Sequence, residues 1–405
     1  MAGKPELLAP AGDLEKLRTA VLYGADSVYL GGQLFSLRAG AGNFSEGELV
    51  EGIFHAHSAG VRVFVAVNIF AKNSDLKDLE EYIRWIESAG VDGIIVSDPG
   101  VFQLARTIAP RLDIHISTQA NTGNVASVKF WQQLGARRVV LAREMSLEEI
   151  AETHAQTKVE LEAFVHGAMC MAYSGRCLLS TYLSSRSANR GDCSQPCRWK
   201  YHLVEEKRPG KYMAIQEDDR GTYIMNSKDL CLLEHFPKLA QAGVKAFKVE
   251  GRMKSIHYLA TVVNSYRTNI DEWWQNKGTW QLNPAWLDEL RQASHRPWST
   301  GFFFGSASQE TELGGYIRPA AFVGAVRGWQ DGNLYVEQRG NFALKQRLEL
   351  VLPGGLPQSF VLESMQDAAT GEAIERAPHA QQLVKIPWPE PVQEFVVLRR
   401  REDDK

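Results

Sequence analysis

Long apolar runs are missing from this sequence. The opening MAGKPELLAPAGD lacks a stretch of signal-peptide length, and nowhere do about 18 uncharged apolar residues follow one another. Secretion and membrane spanning are therefore disfavoured, and a cytoplasmic, reducing setting is expected. Charge of one sign is also scarce: the formal net charge is -3, which excludes a generally basic surface. Cysteine is rare and odd in number, at five, and four of these lie between Cys170 and Cys197, a crowding that suits metal binding better than a disulfide framework. Several catalytic signatures are absent too. No G-x-G-x-x-G turn follows the first apolar run, no H-E-x-x-H offers zinc, no G-x-S-x-G elbow presents a serine, and no C-x3-C-x2-C run points to radical chemistry.

What is present is a repeated phrase. A helical pattern ends in glycine, a short turn follows, and a β-rich apolar run begins, as in YGADSVYLGG, AGVRVFVAVN, AGVDGIIVSD, LGARRVVLAR and AGVKAFKVEG. Gly24, Gly60, Gly90, Gly135 and Gly243 stand where a helix needs a left-handed residue to close. Eight strands follow from the apolar runs: Glu6 to Ala9, Ser27 to Leu30, Arg62 to Val67, Gly93 to Val96, Asp113 to Ser117, Arg138 to Ala142, Glu160 to Val165 and Lys245 to Val249. Amphipathic stretches such as Leu76 to Ser88 and Val125 to Leu134 separate them. Eight strands without a dinucleotide turn favour an α/β fold of the (β/α)8 TIM-like type over an open doubly wound sheet, and place the chemistry at the C-terminal strand ends.

Roughly 80 residues separate the seventh strand from the eighth, far beyond a usual connection, and all five cysteines lie there. The polar stretch Glu205 to Gly221 in this insertion reads as an exposed hairpin or loop, and Trp298 to Gly305 as a linker. From Arg318 the pattern is β only, with short runs divided by Gly, Asp and Pro turns. The expected domains are residues 1–305, a barrel with a cysteine-bearing insertion at 168–243, and residues 306–405, a small all-β barrel.

The spacing Cys170-x6-Cys177-x15-Cys193-x37-Cys231 presents four thiols, the number that a cubane iron–sulfur cluster takes from protein. Structural zinc draws its sulfurs from C-x2-4-C knuckles, a form met only by Cys193-x3-Cys197, and free cysteine also packs as a small apolar residue. Iron–sulfur, zinc and unliganded thiols all remain open on pattern alone.

Around the first two cysteines stand Glu162, Phe164, Gly167, Ala168, Met169 and Cys170, followed by Gly175, Cys177, Leu179 and Ser180. This series resembles the signature of the collagenase-like U-32 peptidase family, filling each of its fixed positions. The likeness extends through LLAPAG, RAGAGNF, STQANTGN, NRGDCSQPCRW and KVEGRMK, and so spans the expected barrel. It is strongest toward the tRNA-hydroxylating members. The resemblance implies a barrel carrying a 4Fe–4S cluster on Cys170, Cys177, Cys193 and Cys231, with Cys197 outside the set. It implies oxygen-independent hydroxylation of the wobble uridine of tRNA to 5-hydroxyuridine, with prephenate as hydroxyl source and accessory proteins as partners.

Other residues fall at the expected mouth. His166, four residues before the first cysteine, is a candidate proton donor or hydrogen-bond partner of a cluster sulfide, and Arg143 a candidate catalytic cation. Glu162 lies inside a strand and needs a cation such as Arg143 or Arg252. Arg38, Asn68, Gln119, Asn121, Glu250 and Arg252 are candidate substrate contacts, and Arg38, Arg143 and Arg252 form a candidate clamp for a small dicarboxylate.

For RNA, Arg186, Arg190, Arg198, Trp199 and Lys200 combine cations with an aromatic ring suited to phosphate contact and base stacking. Two readings compete with RNA modification: a peptidase, as the family name has it, and a non-catalytic RNA- or partner-binding module stapled by metal. If this cationic stretch grips tRNA, log affinity falls linearly with log salt, by roughly 0.7–0.9 per neutralised phosphate. Filter binding between low and physiological salt measures the slope, and a flat line rules the patch out.

Overall fold

Eight parallel strands close on themselves in the computed structural model, which describes residues 3–36, 43–169, 178–186, 192–194, 196, 203–204, 212–213, 217–218, 221–222, 226–305, 309–310 and 316–402. They are β1 (Glu6–Pro10), β2 (Ser27–Leu30), β3 (Arg62–Val67), β4 (Gly93–Val96), β5 (Asp113–Ile116), β6 (Arg138–Val140), β7 (Glu160–Ala168) and β8 (Val244–Val249). Each pairs with its sequence neighbour, and β8 lies between β7 and β1, which completes the ring. Gly24, Gly60, Gly90, Gly135 and Gly243 all have positive φ, as the repeated phrase requires. At Gly135 a Cβ would also strike the Arg106 guanidinium, and at Gly243 the His154 ring.

The alternating helices are α1 (Leu14–Leu22), α2 (Glu46–Ser58), α3 (Leu76–Ser88), α4 (Pro99–Ile108), α5 (Val125–Leu134), α6 (Leu147–Gln156), α7 (Phe236–Gln241) and α8 (Ile256–Gln275). Local chemistry sets their starts. Ser45 and Ser146 make capping boxes with Glu48 and Glu149, while Asp98 caps α4 ahead of Pro99 at its first turn. In α3 the buried Leu79, Ile83 and Ile86 recur at helical spacing, so one face packs and the other meets water.

Strand boundaries differ from expectation where side chains redirect the backbone. β5 stops at Ile116 because Ser117 caps the 3-10 turn Thr118–Ala120, its hydroxyl accepting from Gln119 N–H at 3.3 Å. β6 stops at Val140 because the Ala142 N–H leaves the sheet for the Thr122 carbonyl at 3.0 Å. β7 instead runs on to Ala168, and its last three residues pair antiparallel with a short strand, Asp229–Cys231, of the insertion. That strand in turn pairs parallel with Trp298–Ser299. The segment expected as a linker is therefore tied to the barrel: its first two residues are strand, Leu147 N–H donates to the Phe303 carbonyl at 3.1 Å, and Gly301 lies against Leu230. The stretch Glu205 to Gly221 falls among two short antiparallel pairings, 203–204 with 212–213 and 217–218 with 221–222.

Charge fills the lower lumen. Arg138 on β6 donates to Glu6 on β1 at 2.6 Å, across two intervening strands, so both side chains point into the barrel. The same guanidinium reaches Glu160 at 2.8 Å and Glu162 at 3.2 Å, Arg62 pairs with Glu6, and Lys248 donates to Glu162 at 2.7 Å. Three carboxylates thus meet three cations in the lumen, and the exposed Arg137 pairs with Glu160 from outside it at 2.9 Å. Glu162 is 0% exposed and Arg138 2%, so the network is stable only because its charges balance. Above it Leu8, Tyr29, Phe64 and Ile95 form an apolar layer, with His115 against Phe64 at 4.4 Å. Burial, and then the neighbouring Arg138 and Lys248, pull His115 well below its ordinary range and keep it neutral.

Contacts divide the chain into two units, Met1–Leu14 with Asp26–Met253 and Arg296–Tyr316, and Glu15–Ala25 with Lys254–His295 and Ile317–Lys405. The second unit holds α8, α9 (Ala285–Arg291) and an antiparallel sheet. Its strands are β9 (Ala320–Gln330), β10 (Asn333–Gln338), β11 (Arg347–Val351), β12 (Gln358–Val361), β13 (Leu383–Pro387) and β14 (Val397–Arg401), ordered β12-β11-β14-β9-β10-β13 and extended by Gln366–Asp367. Alternate residues, Leu334 and Val336, Leu348 and Leu350, Val384 and Ile386, fill its core. Arg399, 0% exposed, is held by Glu289 and Glu349.

Burial opposes ionisation of Glu6, but Arg138, Arg62 and a hydrogen bond from Ser27 outweigh it and hold the carboxyl below its ordinary value. A depressed folded value means that this stability is full above the ordinary glutamate range and drains away as pH falls through it. Melting temperature followed down to pH 3 should therefore drop steeply for the wild type. In Glu6→Gln the loss of one partner costs about 3–5 kcal/mol at neutral pH and flattens the acid limb.

Candidate active site at the barrel mouth

Phe164 forms the floor. It lies two residues beyond Glu162 on β7, hence on the same lumen face, and pairs in register with Lys248 on β8. Lys248 sits below it, with Nζ 4.3 Å from the Tyr29 ring centroid and 5.7 Å from that of Phe164. Burial pulls Lys248 below its ordinary range, although Glu162 opposes this. The Arg143 guanidinium lies over Phe164 at 4.1 Å. Among the described residues no carboxylate forms an ion pair with Arg143, although the neighbouring Glu144 carboxyl feels its charge.

The expected partners of Glu162 are corrected here. It bonds Arg138 and Lys248 rather than Arg143 or Arg252, because those two strand positions share its lumen face while Arg143 and Arg252 stand beyond the strand ends. Both oxygens of Glu162 are engaged and it has no exposure, so it belongs to the buried charge network.

His166 stands off the lumen face. The pairing of β7 with β8 slips between Lys248 and Val249, so that His166 stands opposite Val249 and one extra residue, Val165, is accommodated. His166 consequently shares the face of Val249 rather than that of Phe164. It is 2% exposed, stands 6.2 Å from the Trp298 ring, and lies directly across from Cys231 in the antiparallel pairing. Periodicity alone could not have revealed the slip.

Several other expected residues do converge. Asn68, after β3, donates to Ser117 after β5 at 3.4 Å, and the same hydroxyl accepts from Gln119. The Ser97 hydroxyl donates to the Asn68 carbonyl at 3.2 Å. Asn121 closes the turn in a left-handed conformation. Glu250 N–H donates to the His166 carbonyl at 2.9 Å, and Arg252, buried, donates to Ser36 at 2.8 Å against Gly31. Arg38 lies outside the described residues.

The insertion is fastened by a pair that sequence reasoning missed. Arg296 donates to Asp229 at 2.9 Å through Nε and at 3.1 Å through its backbone, with both side chains buried. Asp229 begins the strand that carries Cys231, and Arg296 precedes Trp298; sixty-seven residues apart, they offered no local signal. Cys231 is partly exposed and Cys193 exposed, and neither forms a disulfide among the described residues. No group of three or more metal-binding side chains occurs among the described residues, and Cys170, Cys177 and Cys197 lie outside them. Of the expected RNA contacts, Arg186 is exposed and paired with Asp192 at 2.6 Å, while Arg190, Arg198, Trp199 and Lys200 lie outside the described residues. No helix among the described residues is long and apolar enough to cross a membrane.

A closed β/α barrel interrupted after its seventh strand by a cysteine-bearing excursion, with an antiparallel sheet unit after it, defines the class. The chain belongs to peptidase family U32, whose pattern matches residues 12–313, while the pattern of the U32 C-terminal domain matches residues 318–399. Among its relatives, tRNA hydroxylation protein P1 of Bacillus subtilis (strain 168) is 41% identical over 95% of this chain and 92% of its own length. The tRNA hydroxylation protein P of Escherichia coli (strain K12) is 39% identical over 98% and 97%. The 23S rRNA 5-hydroxycytidine C2501 synthase of Escherichia coli is 37% identical over 67% of this chain and 40% of its own length.

Removing the Asp229 charge takes from the buried Arg296 the carboxylate that it bonds through Nε and through its backbone. Asp229→Asn should cost about 3–5 kcal/mol locally and raise hydrogen exchange at 226–233 and 296–300 before the rest of the barrel opens. Uniform exchange across the barrel would show that the pair has no such local role.

Proposed function

We propose that this chain hydroxylates RNA, taking tRNA as substrate and converting the C5–H of the wobble uridine to C5–OH without molecular oxygen. The observation that carries the reading is likeness along 95% and 98% of the chain, barrel and sheet unit together, to two proteins named for tRNA hydroxylation. The mouth supports it, because Arg143, stacked on Phe164 and without a carboxylate ion-pair partner among the described residues, can receive a phosphate or a carboxylate.

In this reading Arg143, Arg38 and Arg252 clamp a dicarboxylate co-substrate of the prephenate type, and Arg252 is oriented by Ser36. Cys170, Cys177, Cys193 and Cys231 hold a 4Fe–4S cluster. The two of these that are described, Cys193 and Cys231, have access to solvent and form no disulfide among the described residues. When bound, such a cluster supplies electron transfer or Lewis acidity. With hydroxide supplied by the co-substrate, exchanging C5–H for C5–OH releases one proton and two electrons from the base, so accessory proteins that accept those electrons belong to the proposal.

One observation favours a second reading. The register sets Cys231 across from His166 on one face, an arrangement open to a cysteine hydrolase. A single set of samples separates the two. The chain, expressed in a host lacking its own uridine hydroxylation proteins, should restore 5-hydroxyuridine in digested tRNA, purify brown under anaerobic conditions, and lose both properties in Cys231→Ser. Arg143→Met should lower the modified fraction by about tenfold or more, as expected for one charge-assisted contact. Absence of modified uridine, with casein digestion that Cys231→Ser abolishes, would instead establish the hydrolase.

A further inference from the structure

Four buried polar atoms without a hydrogen-bond partner among the described residues crowd into two adjoining loops of the mouth. They are Oε1 of Gln119, Oγ1 of Thr122, Nε of Arg143 and Oε2 of Glu144. The loops are fastened together, since the Thr118 hydroxyl donates to the Leu141 carbonyl at 3.1 Å and Ala142 N–H donates to the Thr122 carbonyl at 3.0 Å. One orphaned atom of this kind costs about 1–3 kcal/mol, so each calls for an explanation. Four together at the C-terminal strand ends of a barrel mark a place where a ligand supplies the missing bonds.

The chemistry of the set describes that ligand. Arg143, stacked on Phe164, keeps its Nε–H donor buried and without a hydrogen-bond partner among the described residues. The Gln119 amide oxygen is buried and offers an acceptor, and Thr122, in the same loop, is fully buried. Burial pushes the Glu144 carboxyl above its ordinary range, so it resists carrying a charge there. A planar ring with an N–H next to a carbonyl satisfies both arms: the N–H meets Gln119 and the carbonyl meets Arg143. Uracil has this edge at N3–H with its two flanking carbonyls. Cytosine presents an unprotonated N3 at the same place, which would confront the Gln119 oxygen with a second acceptor.

We propose that Gln119 and Arg143 form a base-reading subsite in which Gln119 selects uracil over cytosine. The proposal rests on the RNA-hydroxylation reading for its biological sense, but it is tested by binding and not by turnover. Uridine 5′-monophosphate and cytidine 5′-monophosphate are titrated calorimetrically into the full chain and into Gln119→Leu and Gln119→Glu. The wild type should prefer the uridine nucleotide, Gln119→Leu should lose about tenfold of that preference, and Gln119→Glu, which keeps an acceptor, should retain it. Gln119→Leu should also melt no lower than the wild type, because it removes an atom that has no partner in the free protein.

Equal binding of the two nucleotides by the wild type overturns the proposal. So does an unchanged preference in Gln119→Leu, or a lowered melting temperature, which would mean that the oxygen is already satisfied by ordered water. Base preference without any hydroxylated tRNA would leave the subsite standing and defeat the enzymatic reading, so the two failures are told apart.

Discussion

Balanced charge inside the lumen is the constraint on which the rest depends. A barrel of parallel strands is normally filled by layers of branched apolar side chains. Here Glu6, Glu160 and Glu162 face Arg62, Arg138 and Lys248 in the lower part, and Phe64, Tyr29 and Leu8 lie above. The contributions come from β1, β3, β6, β7 and β8, so the ion pairs fix how these strands stand around the axis as well as how strongly they hold. Phe164 and Lys248 rise from the same strands, which makes the mouth floor an extension of the charged layer beneath it.

Much of this was legible in the sequence. The glycine phrase marks αβ turns, and all five named glycines adopt the left-handed conformation that it requires. β2, β3 and β4 match their apolar runs residue for residue, because β-branched residues between a glycine turn and a capping residue leave the chain few alternatives. The seventh strand was underestimated. Its extension from His166 to Ala168 depends on pairing with Asp229–Cys231, sixty or more residues further along, and no local pattern encodes a partner at that distance.

Of the mouth, sequence reasoning located Arg143, Gln119, Asn68 and Arg252 by their places after strand ends, and it could not tell which were already engaged. Arg252 is bonded to Ser36, whereas Arg143 rests on an aromatic face. Trp298 escaped notice because its neighbours, rich in glycine and aromatics, look like a linker, and only the buried Asp229–Arg296 pair shows why that segment folds back onto the barrel. The position of His166 turned on a single extra residue in β7.

The chain order of β7, the insertion and β8 imposes a sequence of events on the ribosome. When Ala168 has emerged, seven strands can align, but the edge of β7 stays open and Glu162 has Arg138 without Lys248 until residue 248 is made. The excursion that bears every cysteine is synthesised in that interval. The ring is therefore sealed by a strand that can arrive only after the cysteines have, and any handling of those thiols during synthesis takes place on an unfinished barrel.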